Sequence, residues 1–165
     1  MITMITTFFG IGKLRPAPGT WGSAAAVLLA VLLSEAGAGW LLPLGVVLAS
    51  VLGFWAVPQA IAGRADKDPS EIVIDEVAGQ WLAMCFTVIP LWRHGVSILD
   101  AWPAFVAPFL LFRLFDIWKP WLVGRADRRG DAAGVMLDDL WAGLFAGVVS
   151  VILAGIYHGL LGPML

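Results

Sequence analysis

The sequence has few charged residues, one cysteine and one tyrosine. Charged residues make up 13% of the 165 residues, against about 25% in soluble domains. They cannot cover the surface of a globular protein, so a water-soluble domain is excluded. The single cysteine, Cys85, excludes an internal disulfide and a multi-cysteine metal site. The ten Lys and Arg residues do not cluster into one basic face, so no nucleic-acid partner is expected.

Hydrophobic residues instead make up 60% of the chain, and its mean hydropathy is +0.89. This much apolar surface also excludes a disordered chain. The composition indicates an integral membrane protein with the lipid bilayer as its surroundings, and the length fits one domain over residues 1–165.

Hydrophobic runs predict the membrane helices. About 20 mostly apolar residues cross roughly 30 Å of hydrocarbon, and residues 40–62, 72–92, 98–118 and 134–161 satisfy this length. A further run, residues 21–33, would be only about 20 Å long, so it is either a short span or a re-entrant helix. We therefore predict an all-α polytopic protein with about five hydrophobic helices.

The basic residues of the connections predict the orientation. If residues 21–33 cross the membrane, eight Lys and Arg residues lie on one side and only Arg93 lies on the other. The eight are Lys13, Arg15, Arg64, Lys67, Lys119, Arg125, Arg128 and Arg129. Connections rich in Lys and Arg stay in the cytoplasm, so the N-terminus is predicted to be cytoplasmic and the C-terminus to be outside.

Five carboxylates lie within the hydrophobic runs, near the ends that this topology places at the cytoplasmic boundary. They are Asp75, Glu76, Asp116, Asp138 and Asp139. A charge at the bilayer centre costs roughly 2.5–3.5 kcal/mol on insertion scales, and adjacent carboxylates repel each other. A divalent cation offsets both costs, and oxygen ligands without His or Cys suit Mg²⁺, Ca²⁺ or Mn²⁺. We predict that these five residues are metal ligands and catalytic groups.

Small residues follow both acidic pairs by about one helical turn, among them Gly79 and Gly143. Small residues allow membrane helices to approach closely, so the two acidic pairs are expected to face each other across a narrow gap. Gly147 extends this face of small residues. The face could pack helices within one chain or between two chains of a homo-oligomer.

Two cationic side chains predict a phosphate site beside the acids. Arg113, Asp116 and Lys119 are three residues apart and share one side of a helix. A carboxylate between two cations suits a Mg²⁺–phosphate group, because the acid binds metal and the cations bind phosphoryl oxygens.

The turn over residues 16–23 leads into a helix whose N-terminus can bind an anion. Its hydroxyls, Thr20 and Ser23, and the nearby Lys13 complete the predicted phosphate-binding set. The remaining acids on the same side are interpreted as solvated loop charges, with Asp127 the first candidate for a functional role. They are Asp66, Asp68, Glu71, Asp127 and Asp131.

The same carboxylates suit a cation- or proton-coupled transporter, because intramembrane acids also bind transported ions. Transporter acids tend to lie near the bilayer midplane on broken helices. Here the acids are expected within about one turn of helix ends, which favours an enzyme at the membrane surface.

Four segments carry a family resemblance: residues 13–23 (KLRPAPGTWGS), 74–79 (IDEVAG), 112–120 (FRLFDIWKP) and 135–139 (VMLDD). In this order they resemble phosphatidylglycerophosphatase A, over most of the chain. The resemblance implies one membrane-embedded phosphatase domain in the bacterial inner membrane, dependent on Mg²⁺, with its active site facing the cytoplasm. It implies hydrolysis of the phospholipid phosphatidylglycerophosphate to phosphatidylglycerol and inorganic phosphate. Attack by a metal-activated water and attack by an aspartate both stay open.

Overall fold

The computed structural model describes residues 1–161, which contain only helices and their connections. The α-helices of this range are α1 (Ile2–Thr6), α2 (Pro18–Glu35), α3 (Leu42–Ala60), α4 (Ile74–Arg93), α5 (Pro103–Trp118), α6 (Trp121–Asp127) and α7 (Ala132–Ile156). Short 3-10 turns precede α2 and α3, and a π-helical turn follows α7. The predicted all-α fold is confirmed.

Four segments of residues 1–161 are long and apolar enough to cross a bilayer: Pro18–Glu35, Gly39–Ala60, Ile74–Arg93 and Ala132–Gly159. The polytopic architecture is therefore confirmed. The helix expected over 98–118 begins only at Pro103 and has 16 residues, which is about 24 Å at 1.5 Å per residue. The count of five spans stays a prediction, as does the side on which the N-terminus lies.

The first hydrophobic run forms a longer helix than the predicted 21–33. Pro18 lies in the first turn of α2, where a missing N–H costs nothing and the fixed φ of proline suits a helix. The 18 residues of α2 extend about 27 Å. This length favours a span over a re-entrant helix.

The last helix begins at Ala132, two residues before the predicted 134. The carboxylate of Asp131 caps it by accepting a hydrogen bond of 2.7 Å from the backbone N–H of Gly134. Asp138 and Asp139 consequently lie about two turns into α7. The expectation that they lie within about one turn of its end is wrong.

The central helix of the bundle is α4, with α2, α3, α5 and α7 packed around it. Half of an apolar 18-residue stretch of α4 is buried inside the protein, against 28% of the corresponding stretch in each of the other three segments. A Cβ on Gly143 would overlap the carbonyl oxygen of Gly79, and one on Gly147 would overlap the ring of Phe86. The small residues of α7 therefore pack against α4 within one chain.

The helices alternate in direction, so their ends form two layers. We call the layer where α2, α4 and α7 begin and α3 and α5 end the acidic end. Here Arg15 donates a 3.2 Å hydrogen bond to the hydroxyl of Ser70. In the opposite layer the indole of Trp92 donates to the carbonyl of Gly37 at 2.8 Å. The connections that carry the eight basic residues meet at the acidic end, whereas Arg93 ends α4 in the opposite layer.

Candidate active site

Three helices bring five carboxylates together at the acidic end. They are Asp75 and Glu76 of α4, Asp116 of α5, and Asp138 and Asp139 of α7. Carboxylate oxygens of Asp75, Glu76 and Asp139 lie within 4.8 Å of one another, and so do oxygens of Asp116, Asp138 and Asp139. Hard divalent cations bind oxygen at about 2.0–2.6 Å. Each group of three is therefore close enough to share one cation.

Burial makes these carboxylates suitable for a cation. Asp75 and Asp138 are 5% exposed and Asp139 is 3% exposed. Oδ1 of Asp139 and Oε2 of Glu76 are buried and have no hydrogen-bond partner among the described residues. A buried unpaired polar atom costs about 1–3 kcal/mol, and a charged one costs more. These ligands are all carboxylate oxygens, they are buried, and two of them have no hydrogen-bond partner within residues 1–161. Such a set fits a hard cation such as Mg²⁺.

Two cationic side chains contact the same group of acids. Nη1 of Arg113 lies 2.7 Å from Oδ2 of Asp116, and Nζ of Lys119 lies 2.7 Å from Oδ2 of Asp138. Lys119 also donates a hydrogen bond to Oδ1 of Asp127. These cations neutralise part of the acidic group while lying where a phosphoryl group could meet them.

The position of Lys119 follows from the proline after it. Pro120 disfavours helical geometry at the preceding residue, and Lys119 is left-handed with φ 52° and ψ 55°. The helix α5 therefore ends at Trp118. Burial alone would lower the pKa of Lys119, but its hydrogen bonds to Asp127 and Asp138 outweigh burial and raise that pKa above its usual value. The ammonium group stays charged at neutral pH.

The first turn of α2 borders the carboxylates. A Cβ on Gly19 would overlap Oε1 of Glu76 and would lie 3.2 Å from Nη1 of Arg113. Glycine at this position lets the N-terminus of α2 approach both side chains. Thr20 follows directly and is half-buried, so it stays a candidate for contact with a phosphoryl group.

Two of the predicted phosphate-binding residues make no hydrogen bond or ion pair to the carboxylates among the described residues. Ser23 is fully buried, and its hydroxyl donates a 2.8 Å hydrogen bond to the carbonyl of Gly19. Lys13 is exposed and forms no ion pair with any described residue. The adjacent Gly12 packs instead against the backbone of Glu71, in the connection that precedes α4.

Two acids interpreted as solvated loop charges lie beside the site. Asp127 contacts Lys119. Asp68 and Asp127, with Lys67 and Asp138, help to line a cavity of about 30 Å³. The sequence already marks Asp127 as the first candidate for a functional role among these acids, but no pattern pairs it with Lys119. No sequence pattern singles out Asp68, because it lies in an irregular connection.

Comparison with known proteins decides which family this arrangement belongs to. The family model described as Phosphatidylglycerophosphatase A matches residues 4–154. The chain belongs to the phosphatidylglycerophosphatase A family. The resemblance of the four sequence segments is thereby confirmed, and a lipid phosphatase is favoured over a transporter.

Curated relatives of this phosphatidylglycerophosphatase A family member cover most of its length. Phosphatidylglycerophosphatase A of Haemophilus influenzae is 32% identical over 90% of this chain and 85% of its own. The Escherichia coli protein of the same name is 32% identical over 87% of this chain and 77% of its own. A Bacteroides thetaiotaomicron protein, provisionally named a phosphatidylinositol-3-phosphatase, is 36% identical over 87% of both chains. No solved structure matches the chain significantly.

Proposed function

We propose that the chain is a Mg²⁺-dependent phosphatidylglycerophosphatase. It removes the terminal phosphate of phosphatidylglycerophosphate and releases phosphatidylglycerol and inorganic phosphate at the cytoplasmic face of the bacterial inner membrane. The observation that carries this proposal is the meeting of five carboxylates and two cationic side chains at one end of an apolar bundle. A lipid headgroup lies at the same depth as this end of the bundle when the helices span the bilayer.

The acidic and the basic side chains would have different roles in the reaction. Asp75, Glu76 and Asp139 would hold Mg²⁺, which when bound would supply positive charge to stabilise the negative charge that develops on the phosphoryl group and the leaving oxygen. Lys119 and Arg113 would bind the phosphoryl oxygens as hydrogen-bond donors with a full charge.

In the water-attack route, the oxygen of a water forms a bond to phosphorus while the bond from phosphorus to the glycerol oxygen breaks. One proton passes to the glycerol oxygen, so the products are an alcohol and inorganic phosphate. In the second route an aspartate oxygen attacks phosphorus first and displaces the glycerol oxygen, which takes a proton; water then cleaves the aspartyl phosphate into the free aspartate and inorganic phosphate. Acid quenching during turnover of a substrate with a radiolabelled terminal phosphate separates the two routes, because only the second labels the protein.

Phosphate release by the purified protein in lipid–detergent micelles tests the function. We expect release from phosphatidylglycerophosphate with Mg²⁺ and none after chelation. Phosphatidylinositol-3-phosphate belongs in a parallel assay, because one relative carries that substrate in its name. A folded preparation that hydrolyses only the inositol lipid, or neither lipid, overturns the proposal.

A further inference from the structure

The five carboxylates divide into two groups of three that have one member in common. Asp75, Glu76 and Asp139 form the first group, and Asp116, Asp138 and Asp139 form the second. Among the described residues only Asp139 belongs to both. A carboxylate has two oxygens and can offer one to each side. We call the two groups the first and the second position.

The two positions differ in charge. At the second position, Asp116 is paired with Arg113 and Asp138 with Lys119, both at 2.7 Å. At the first position none of the described lysine or arginine side chains lies within ion-pair distance of a carboxylate.

An unpaired oxygen also distinguishes the first position. Oε2 of Glu76 is buried without a hydrogen-bond partner among residues 1–161, and so is Oδ1 of Asp139, which belongs to both positions. Asp139 is 97% buried, since only 3% of it is exposed. A buried anionic oxygen in this state is stabilised by a ligand that brings positive charge.

We propose that the site binds two hard divalent cations that share Asp139, the first tightly and the second weakly until a phosphoryl group draws Lys119 and Arg113 away. This inference rests on the proposed function. A cation entering the second position competes with two side-chain charges already bound there. A phosphoryl group offers those charges new acceptor oxygens, so phosphate and the second cation favour each other's binding.

Mn²⁺ binding to the purified protein, measured by equilibrium dialysis and by electron paramagnetic resonance, tests this inference. We expect one tight ion, a second that binds at least about tenfold more weakly, and a magnetically coupled pair once both are bound. Inorganic phosphate should tighten only the second ion. Lys119→Met removes a competing charge and should tighten the second ion about tenfold, which corresponds to about 1.4 kcal/mol.

Three further variants separate the positions. Glu76→Gln should abolish the tight ion, Asp116→Asn the weak ion, and Asp139→Asn should weaken both. The matched control is Glu71→Gln, which removes an exposed carboxylate paired with Arg64 at 2.9 Å; it should bind both ions. If Asp139→Asn does not fold, the other two variants still decide the number of positions.

The inference is wrong if Glu76→Gln and Asp116→Asn abolish the same single ion, or if Lys119→Met leaves the second affinity unchanged. Lipid hydrolysis in the same samples keeps the two proposals separate. Hydrolysis with one bound ion refutes the second position and leaves the function standing. Two bound ions without hydrolysis of phosphatidylglycerophosphate refute the function and leave the two positions standing.

Discussion

Gly143 of α7 lies directly on the carbonyl oxygen of Gly79 of α4. This contact is one turn beyond the acidic residues of each helix, so it sets the distance between Asp139 and the pair Asp75 and Glu76. A side chain at either glycine would push the two helices apart. Close packing of small residues is thus the structural condition for the first group of carboxylates.

Gly143→Ala should therefore damage both the stability and the carboxylate site. Overpacking of this kind costs about 1–3 kcal/mol, and the widened gap should weaken Mn²⁺ binding at the first position. Gly155→Ala is the matched control, because Gly155 lies in the same helix with nothing within 4 Å of an added Cβ. It should raise stability by about 0.5–1 kcal/mol. Thermal unfolding in detergent and Mn²⁺ titration compare the two; equal effects of both substitutions contradict the packing argument.

The close approach of the two acidic pairs was predictable from the sequence, because similar acid-then-small patterns precede Gly79 and Gly143. The end of α5 was predictable for a related reason, since Pro120 constrains Lys119. The contact of the Lys119 ammonium with Asp127 was not predictable from the sequence. The short helix α6 places Asp127 there, and no periodic pattern marks that contact.

Ser23 is a second example. A hydroxyl in the first turns of a helix predicts a phosphate ligand, and in the structure it donates to the carbonyl of Gly19 four residues earlier, so its contact with phosphate stays a prediction. Serine hydroxyls in helices often donate their hydrogen bond to the backbone carbonyl four residues earlier in this way. Sequence spacing alone does not decide between these two partners.

Gln80 provides a test of what the interior of the bundle contains. It is fully buried on α4, four residues after Glu76, and neither of its side-chain polar atoms has a partner among the described residues. A buried unpaired amide costs about 1–3 kcal/mol. Gln80→Met, which keeps the unbranched shape, should raise the free energy of unfolding by about this amount. A fall in stability would show that the amide is hydrogen-bonded to a ligand or water, and denaturant titration in micelles measures the sign.

Removal of one carboxylate should stop the reaction without unfolding the protein. Asp75→Asn keeps the side-chain size and leaves an oxygen that can accept the 3.0 Å hydrogen bond from the backbone N–H of Glu76. We expect kcat to fall by about a hundredfold or more, the scale seen when one electrostatic group is removed from an active site. Asp100→Asn, an exposed acid in the opposite layer, should leave kcat unchanged. Near-normal phosphate release by Asp75→Asn, at any Mg²⁺ concentration, would exclude this carboxylate from the site.

Lys119 should contribute mainly to binding of the phosphoryl group. Lys119→Met leaves Asp138 without its 2.7 Å ion pair and removes a donor for phosphoryl oxygens. We expect kcat/KM for the lipid to fall by about 10- to 100-fold, since a hydrogen bond to a charged group contributes about 1.5–3 kcal/mol. Inhibition by inorganic phosphate should weaken in parallel. The control is Arg125→Gln, which removes an exposed charge from the neighbouring α6 and should change neither quantity. The prediction is wrong if both substitutions lower kcat/KM equally and if high salt lowers the wild-type kcat/KM to the same degree. The effect would then be general attraction of an anionic lipid, without contact between Lys119 and the phosphate.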